Sequence, residues 1–241
     1  MQIHHKPSKI LVVGMSGSGK SVFVTRYILN KKFDHIFIFD HKLEFLHRCG
    51  MKACFSVTEL TEAMKRRDPI ISYNHTNDFP GDSEAGFQFF SDWVFEMAKI
   101  IQRHCLYVCD EVNRFTSPQD MGWEFRQLIE DGRLQGLDFI GTSHAANHIS
   151  GKLRLQLTEI VALRTKDSRA LAFLEEIGFN GEEVSNLETG EFILYHEQSG
   201  KFVRDRLFAS QIPQKEIDAG DETNQDGDTA SNPPDSSTLP P

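Results

Sequence analysis

The chain has 241 residues, 39% hydrophobic and 25% charged, with a formal net charge of −9. That composition describes one domain of generous size, or one domain plus a tail, with enough apolar material for a real core. No run approaches the roughly 18 apolar residues of a membrane span. The basic start at Met1–Lys6 is not followed by an apolar stretch, so neither an anchor nor a secretory leader is expected.

The predicted elements alternate along the chain. Lys9–Gly14 reads as a buried parallel strand, Ser21–Asn30 as a helix, and His35–Asp40 as a second strand. Ala53–Val57 is a weak strand, followed by a helix capped at Thr58 and running to Arg67. Pro69–Asn74 is a strand, with its proline tolerable only at the start. A polar loop through Gly86 precedes a long helix over Phe87–His104. Cys105–Val112 is a buried strand carrying two acids, Gln119–Gln135 a helix, and Leu137–Ser143 a strand. A helix over Ala146–Gln156 and a strand over Glu159–Arg164 follow, then a helix capped by Asp167 and closed by Gly178. Glu191–Glu197 and Lys201–Phe208 face each other across Gln198-Ser199-Gly200 as a β-hairpin. The 19 phenylalanines are expected in the core.

Composition changes near residue 214. Residues 214–241 hold seven acids against one base, or −6 of the −9, with four of the nine prolines and almost no large apolar side chains. Such a segment cannot offset its ordering entropy by burial. The expected organisation is therefore a folded body over 1–213 and a disordered acidic tail over 214–241. Among the four cysteines there is no CxxC. Reduced thiols are expected, and His47 beside Cys49 and Cys54 does not make a zinc site.

Gly14-Met15-Ser16-Gly17-Ser18-Gly19-Lys20-Ser21 is a complete P-loop set between a strand and a helix. Glycines 14, 17 and 19 let backbone N–H groups turn onto phosphate oxygens, and the helix beginning near Val22 points its positive end at the same anion. Lys20 supplies charge to the β- and γ-phosphates, and the Ser21 hydroxyl is a hard oxygen for Mg2+. Asp110 and Glu111 close the apolar run CLYVC: Asp110 reads as the metal-side carboxylate and Glu111 as the general base. The strand ending in Thr142-Ser143-His144 is expected between these two motifs. Its polar side chains either touch the γ-phosphate and attacking water or cap the next helix. For a charge borrowed from a neighbouring subunit the candidates are Arg133 and Arg169, with Arg126 and Arg164 behind them.

The set resembles the FtsK–HerA superfamily of DNA-translocating ATPases over about 200 residues, Lys9–Phe208. It is carried by the P-loop, FDHKLEF at Phe39–Phe45, YVCDEV, GRLQGLDFIGTSHAANHI at Gly132–Ile149, LRTKDSRALAFLEEIG at Leu163–Gly178 and ETGEFIL at Glu188–Leu194. The bare core is similar to the genome-packaging ATPases of tailless icosahedral viruses with an internal membrane, the double-jelly-roll lineage. The resemblance implies an α/β P-loop NTPase of the additional-strand class, with a mostly parallel sheet flanked by helices and the hairpin as an antiparallel edge. It implies ATP and Mg2+, double-stranded DNA, and a homo-oligomeric ring, most often a hexamer. Capsid or packaging-vertex partners and a location in host cytoplasm or virion follow from it. A trans arginine follows too, with Arg133 fitting best by position and Arg169 next. The family usually has Gln where this chain has His144. Lys152 and Arg154 are the candidate DNA-gripping residues, since Asn74–Gly86 contains no lysine or arginine. The alternatives are an assembly or secretion ATPase of the filamentous-phage type, and a P-loop kinase or switch without DNA.

Overall fold

The computed structural model describes residues 7–45 and 52–207. His47, Cys49 and the acidic tail lie outside the described residues. Among the described residues nine strands form one sheet: β1 Lys9–Val13, β2 His35–Phe39, β3 Ala53–Cys54, β4 Ile70–Tyr73, β5 Cys105–Cys109, β6 Leu137–Ser143, β7 Glu159–Leu163, β8 Glu191–His196 and β9 Lys201–Arg206. Their order is β3-β4-β2-β5-β6-β1-β7-β8-β9. β6 thus lies between the strand of the P-loop and the strand of Asp110, as the additional-strand class requires. It runs parallel to both, Val13 facing Ser143 and Cys109 facing Gly141. Only the last two strands are antiparallel, β8 to β7 and β9 to β8.

β1 and β5 are buried along their whole length, because helices cover both faces of the sheet. Alternate residues build two cores. Phe37, Phe39, Tyr107 and Phe139 join Phe87, Phe90 and Phe125 on one face, while Ile10, Val12, Ile38, Val108 and Ile140 pack on the other. The phenylalanine-rich core holds edge-to-face pairs such as Phe39–Phe87, with ring centroids 5.4 Å apart. Cys54, Cys105 and Cys109 are buried free thiols, and burial pushes Cys105 up to about 12, so these are inert packing residues.

Several helix boundaries differ from the expectation, each for a local reason. α2, Val57–Arg66, is capped by Ser56 rather than Thr58. Ser56 Oγ accepts from Glu59 N–H, and the Glu59 carboxylate accepts from Phe55 N–H just before the cap, so the helix starts two residues earlier. α3 spans Ser83–Ile101 from an Asp82 cap. Gly86 therefore sits inside the helix, where a Cβ would lie 2.4 Å from His75 Cβ; the glycine serves close packing, not a loop. α4 is shorter than expected, Trp123–Asp131, starting after Gly122 at φ 73° and passing into a 3-10 turn at Gly132–Gln135. The expected helix over Ala146–Gln156 is split into a 3-10 turn at Ala146–His148 and a single turn, α5, Gly151–Arg154. Ser150 breaks it by capping Lys152 N–H. α1 (Lys20–Asn30) and α6 (Ser168–Ile177, Asp167 cap, Gly178 closure) follow the expectation. α7, Gly181–Ser185, was not anticipated; Asn180 caps it.

Candidate nucleotide-binding site

The P-loop leaves β1 at the C-terminal edge of the sheet and enters α1 through Gly19, whose φ of 109° excludes side chains at low cost. A Cβ there would meet Leu163 at 3.3 Å and Leu207 at 3.4 Å. The loop is tied on every side: Gly14 N–H donates to Ser143 O (3.1 Å), Met15 N–H to Arg164 O (3.0 Å), and Gly190 N–H to Ser18 O (3.3 Å). Leu207 N–H in turn donates to Gly190 O at 2.7 Å. The C-terminal hairpin therefore buttresses the phosphate loop directly. Met15, Ser16 and Gly17 are exposed at its tip and Val22 is half-buried in the first turn of α1. The Ser18 hydroxyl is buried without a hydrogen-bond partner.

Lys20 is folded back on its own loop, Nζ donating to Gly14 O at 2.9 Å and Met15 O at 3.1 Å. Burial pushes Lys20 below its ordinary value, with Asp110, Glu44 and Glu111 opposing the shift. Ser21 Oγ donates to Glu44 Oε1 at 2.5 Å.

Asp110 and Glu111 are brought to the loop by β6. The buried Thr142 hydroxyl donates to Asp110 Oδ1 at 2.6 Å and accepts from Glu111 N–H at 2.9 Å. One side chain thus orients both acids. Burial pushes the Asp110 carboxyl up, against the pull of the Thr142 bond. Glu111 adopts φ 52°, a left-handed conformation unusual for a non-glycine residue and typical of functional turns. Burial pushes Glu111 up as well, yet Lys42, Arg114 and His144 outweigh it and hold the carboxyl below its ordinary value. Lys42 Nζ lies 2.7 Å from Glu111 Oε1, Arg114 Nη1 3.4 Å from Oε2, and His144 Nδ1 3.6 Å from Oε1. Ser143 accepts from Ala145 N–H and donates to Asn113 Oδ1, and it does not cap the 3-10 turn at Ala146–His148, which has no side-chain cap.

A cleft of about 510 Å³ opens beside the loop tip, lined among others by Met15, Ser16, Lys42, Glu111, His144 and Arg169. Arg169 therefore faces its own chain's cleft. Arg133 does not: it is exposed in the 3-10 turn before β6, at the N-terminal edge of the sheet, where its charge acts on Lys9 at the start of β1. Arg126 pairs with Asp120 and Arg164 reaches Thr189. Arg154 is engaged within the chain, stacking on Phe173 and donating to the carbonyls of Ile149 and Ala146, whereas Lys152 is exposed.

Lys42, Glu44 and Arg114 were not assigned roles from the sequence. The FDHKLEF motif was the available signal for the first two. Among the described residues no cluster of three or more acidic, histidine or cysteine side chains could hold a metal by itself. Ser21, Asp110 and Glu44 offer hard oxygens of the kind that would hold a magnesium ion.

No protein-family model and no curated protein matches the sequence. Solved structures do. The genome packaging NTPase B204 from Sulfolobus turreted icosahedral virus 2, in complex with ATP-gammaS, superposes with a TM-score of 0.66 at 16% identity, covering 84% of this chain and 98% of that one. The bacterial conjugative coupling protein TrwBΔN70 gives 0.58 at 12% identity, covering 86% of each. EssC ATPases 2 and 3 from Geobacillus thermodenitrificans give 0.52 at 13%, covering 83% of this chain and 39% of that one. These likenesses agree with the resemblance of the motifs, and they show for this chain a P-loop NTPase fold.

Proposed function

We propose that the chain is an ATP-hydrolysing motor that moves double-stranded DNA, and that its task is to drive a viral genome into a capsid. The observation that carries the hydrolytic part is the Thr142 hydroxyl holding Asp110 and Glu111 beside Lys20 and Ser21. The DNA part is supported by the likeness to a viral genome packaging NTPase along nearly the whole of that chain.

In this reading the P-loop N–H groups and the start of α1 receive the β- and γ-phosphates, and Lys20 leaves the carbonyls of Gly14 and Met15 for them. Ser21 and Asp110 hold magnesium, which supplies positive charge to the phosphate oxygens when bound. Glu111 aligns a water whose oxygen attacks the γ-phosphorus as the bond to the β–γ bridging oxygen breaks, and it accepts the water's proton. Arg133, remote from its own cleft, serves the site of the next subunit in a ring, a hexamer by family resemblance; Arg169 contributes from the same chain. His144 lines the water side. Residues 1–213 form the motor and 214–241 an acidic tail, and the motor works with capsid or packaging-vertex proteins, in host cytoplasm or virion. A body carrying only −3 without that tail grips DNA by a few cations repeated around the ring. Among the described residues no helix is long and apolar enough to cross a membrane.

A second reading, an assembly or secretion ATPase, rests on the same P-loop and paired acids without a DNA substrate. Phosphate release measured with and without double-stranded DNA separates them, with sizing in the presence of nucleotide. Stimulation by DNA and a nucleotide-dependent ring are expected for the motor. An unstimulated protein that stays monomeric would sink it.

A further inference from the structure

We infer that Lys42 is a second phosphate-facing cation supplied by the same chain, which holds the Glu111 carboxylate before substrate arrives and exchanges it for the γ-phosphate of ATP. The inference rests on reading this site as an ATPase and adds to it a residue and a trigger.

The turn after β2 is built to aim Lys42. Leu43 N–H donates to Asp40 O at 3.2 Å and Glu44 N–H to Asp40 Oδ1 at 2.8 Å. Asn74 Nδ2 holds the carbonyls of Asp40 and His41 at 3.0 and 3.1 Å. Leu43 accepts a left-handed φ of 59° to close the turn. A lysine that only solvates a surface has no use for such a frame. From this one turn Glu44 reaches the Ser21 hydroxyl at 2.5 Å and Lys42 reaches Glu111 at 2.7 Å, so it addresses the metal side and the water side together.

Lys42 also faces the tip of the loop that receives phosphate in this reading. It lines the same cleft as Met15 and Ser16 at the loop tip, and its charge is felt at Lys20, whose protonation it disfavours. Its side chain is 47% exposed, so the pair with Glu111 is solvent-screened and easily exchanged. The ammonium has three donors and a flexible stem, which suits a change of partner. ATP brings a γ-phosphate that ADP lacks. Moving Lys42 onto it leaves Glu111 to the attacking water only when there is something to hydrolyse.

The test is steady-state phosphate release and equilibrium binding of ADP and ATP-gammaS by the full chain, its Lys42→Met variant and its Lys42→Arg variant. Lys42→Met should lower kcat by about a hundredfold, the loss typical of one electrostatic donor. It should weaken ATP-gammaS binding while ADP binding stays unchanged, and Lys42→Arg should recover part of both. A Lys42→Met protein that turns over as fast as the parent or faster would overturn the inference, leaving Lys42 a restraint or a surface charge. Equal loss of ADP and ATP-gammaS binding would overturn it too, as a general disturbance of the loop. A parent chain that binds ATP-gammaS but does not hydrolyse ATP refutes the ATPase reading instead; the ratio of the two affinities in Lys42→Met then decides the phosphate contact alone.

Discussion

Replacing Thr142 by valine removes a hydroxyl from a fully buried position while keeping shape. Two bonds disappear: the 2.6 Å donation to Asp110 Oδ1 and the 2.9 Å acceptance from Glu111 N–H. A hydrogen bond to a charged group contributes about 1.5–3 kcal/mol and a neutral one about 1 kcal/mol. The variant should therefore lose roughly 2–4 kcal/mol of stability, read as a lower urea midpoint at unchanged slope. Activity should suffer more than stability. Without the hydroxyl the left-handed turn at Glu111 loses the acceptor of its N–H, and a misplacement of about 1 Å at a reacting group costs on the order of a hundredfold in rate. Thr142→Ser, which retains the hydroxyl, should recover most of kcat. A Thr142→Val protein with parental kcat would refute the argument that β6 positions the two acids.

The same variant has a signature in pH. Asp110 is raised by burial and pulled down by Thr142, so removing the hydroxyl raises it further. Activity needs the ionised carboxylate and is lost as pH falls through its pKa; the acid limb of the kcat profile should move to higher pH in Thr142→Val. Lys20→Ala should abolish turnover and weaken ATP binding, because the ammonium that donates to Gly14 O and Met15 O is the one proposed to meet phosphate. Arg133→Ala should be inactive alone, yet regain activity when mixed with Lys20→Ala subunits; no recovery would make it a residue of the sheet edge only.

Much of the architecture was legible because it depends on local pattern. The runs KILVV and CLYVC are apolar throughout, as strands covered on both faces must be. Asp167 and Gly178 mark the ends of α6 by cap chemistry that acts within a few residues. The boundaries that differ turn on single side chains that compete with a plain periodic pattern. Gly86 reads as a loop residue until His75 is seen packed against it. Ser150 competes for backbone N–H groups inside a pattern that otherwise continues as helix. Site residues divide in the same way. Lys20 and Ser21 open the helix after the P-loop and Asp110 and Glu111 follow a recognisable strand, and the order β5-β6-β1 brings them together. Thr142 was flagged as polar at a strand end, but its partners are 31 and 32 residues earlier in the chain, and only the register of β6 against β5 identifies them. Lys42 is invisible for a similar reason: its meaning lies in a salt bridge across 69 positions.

The central claim is that the energy of ATP hydrolysis at Lys20, Asp110 and Glu111 is coupled to DNA. Phosphate release by the full chain, titrated with double-stranded DNA and repeated with Glu111→Gln, tests it most directly. The account predicts turnover that rises with DNA in the parent, and a Glu111→Gln protein that binds ATP but releases no phosphate at any DNA concentration. Turnover indifferent to DNA, or a Glu111→Gln variant as active as the parent, would contradict it.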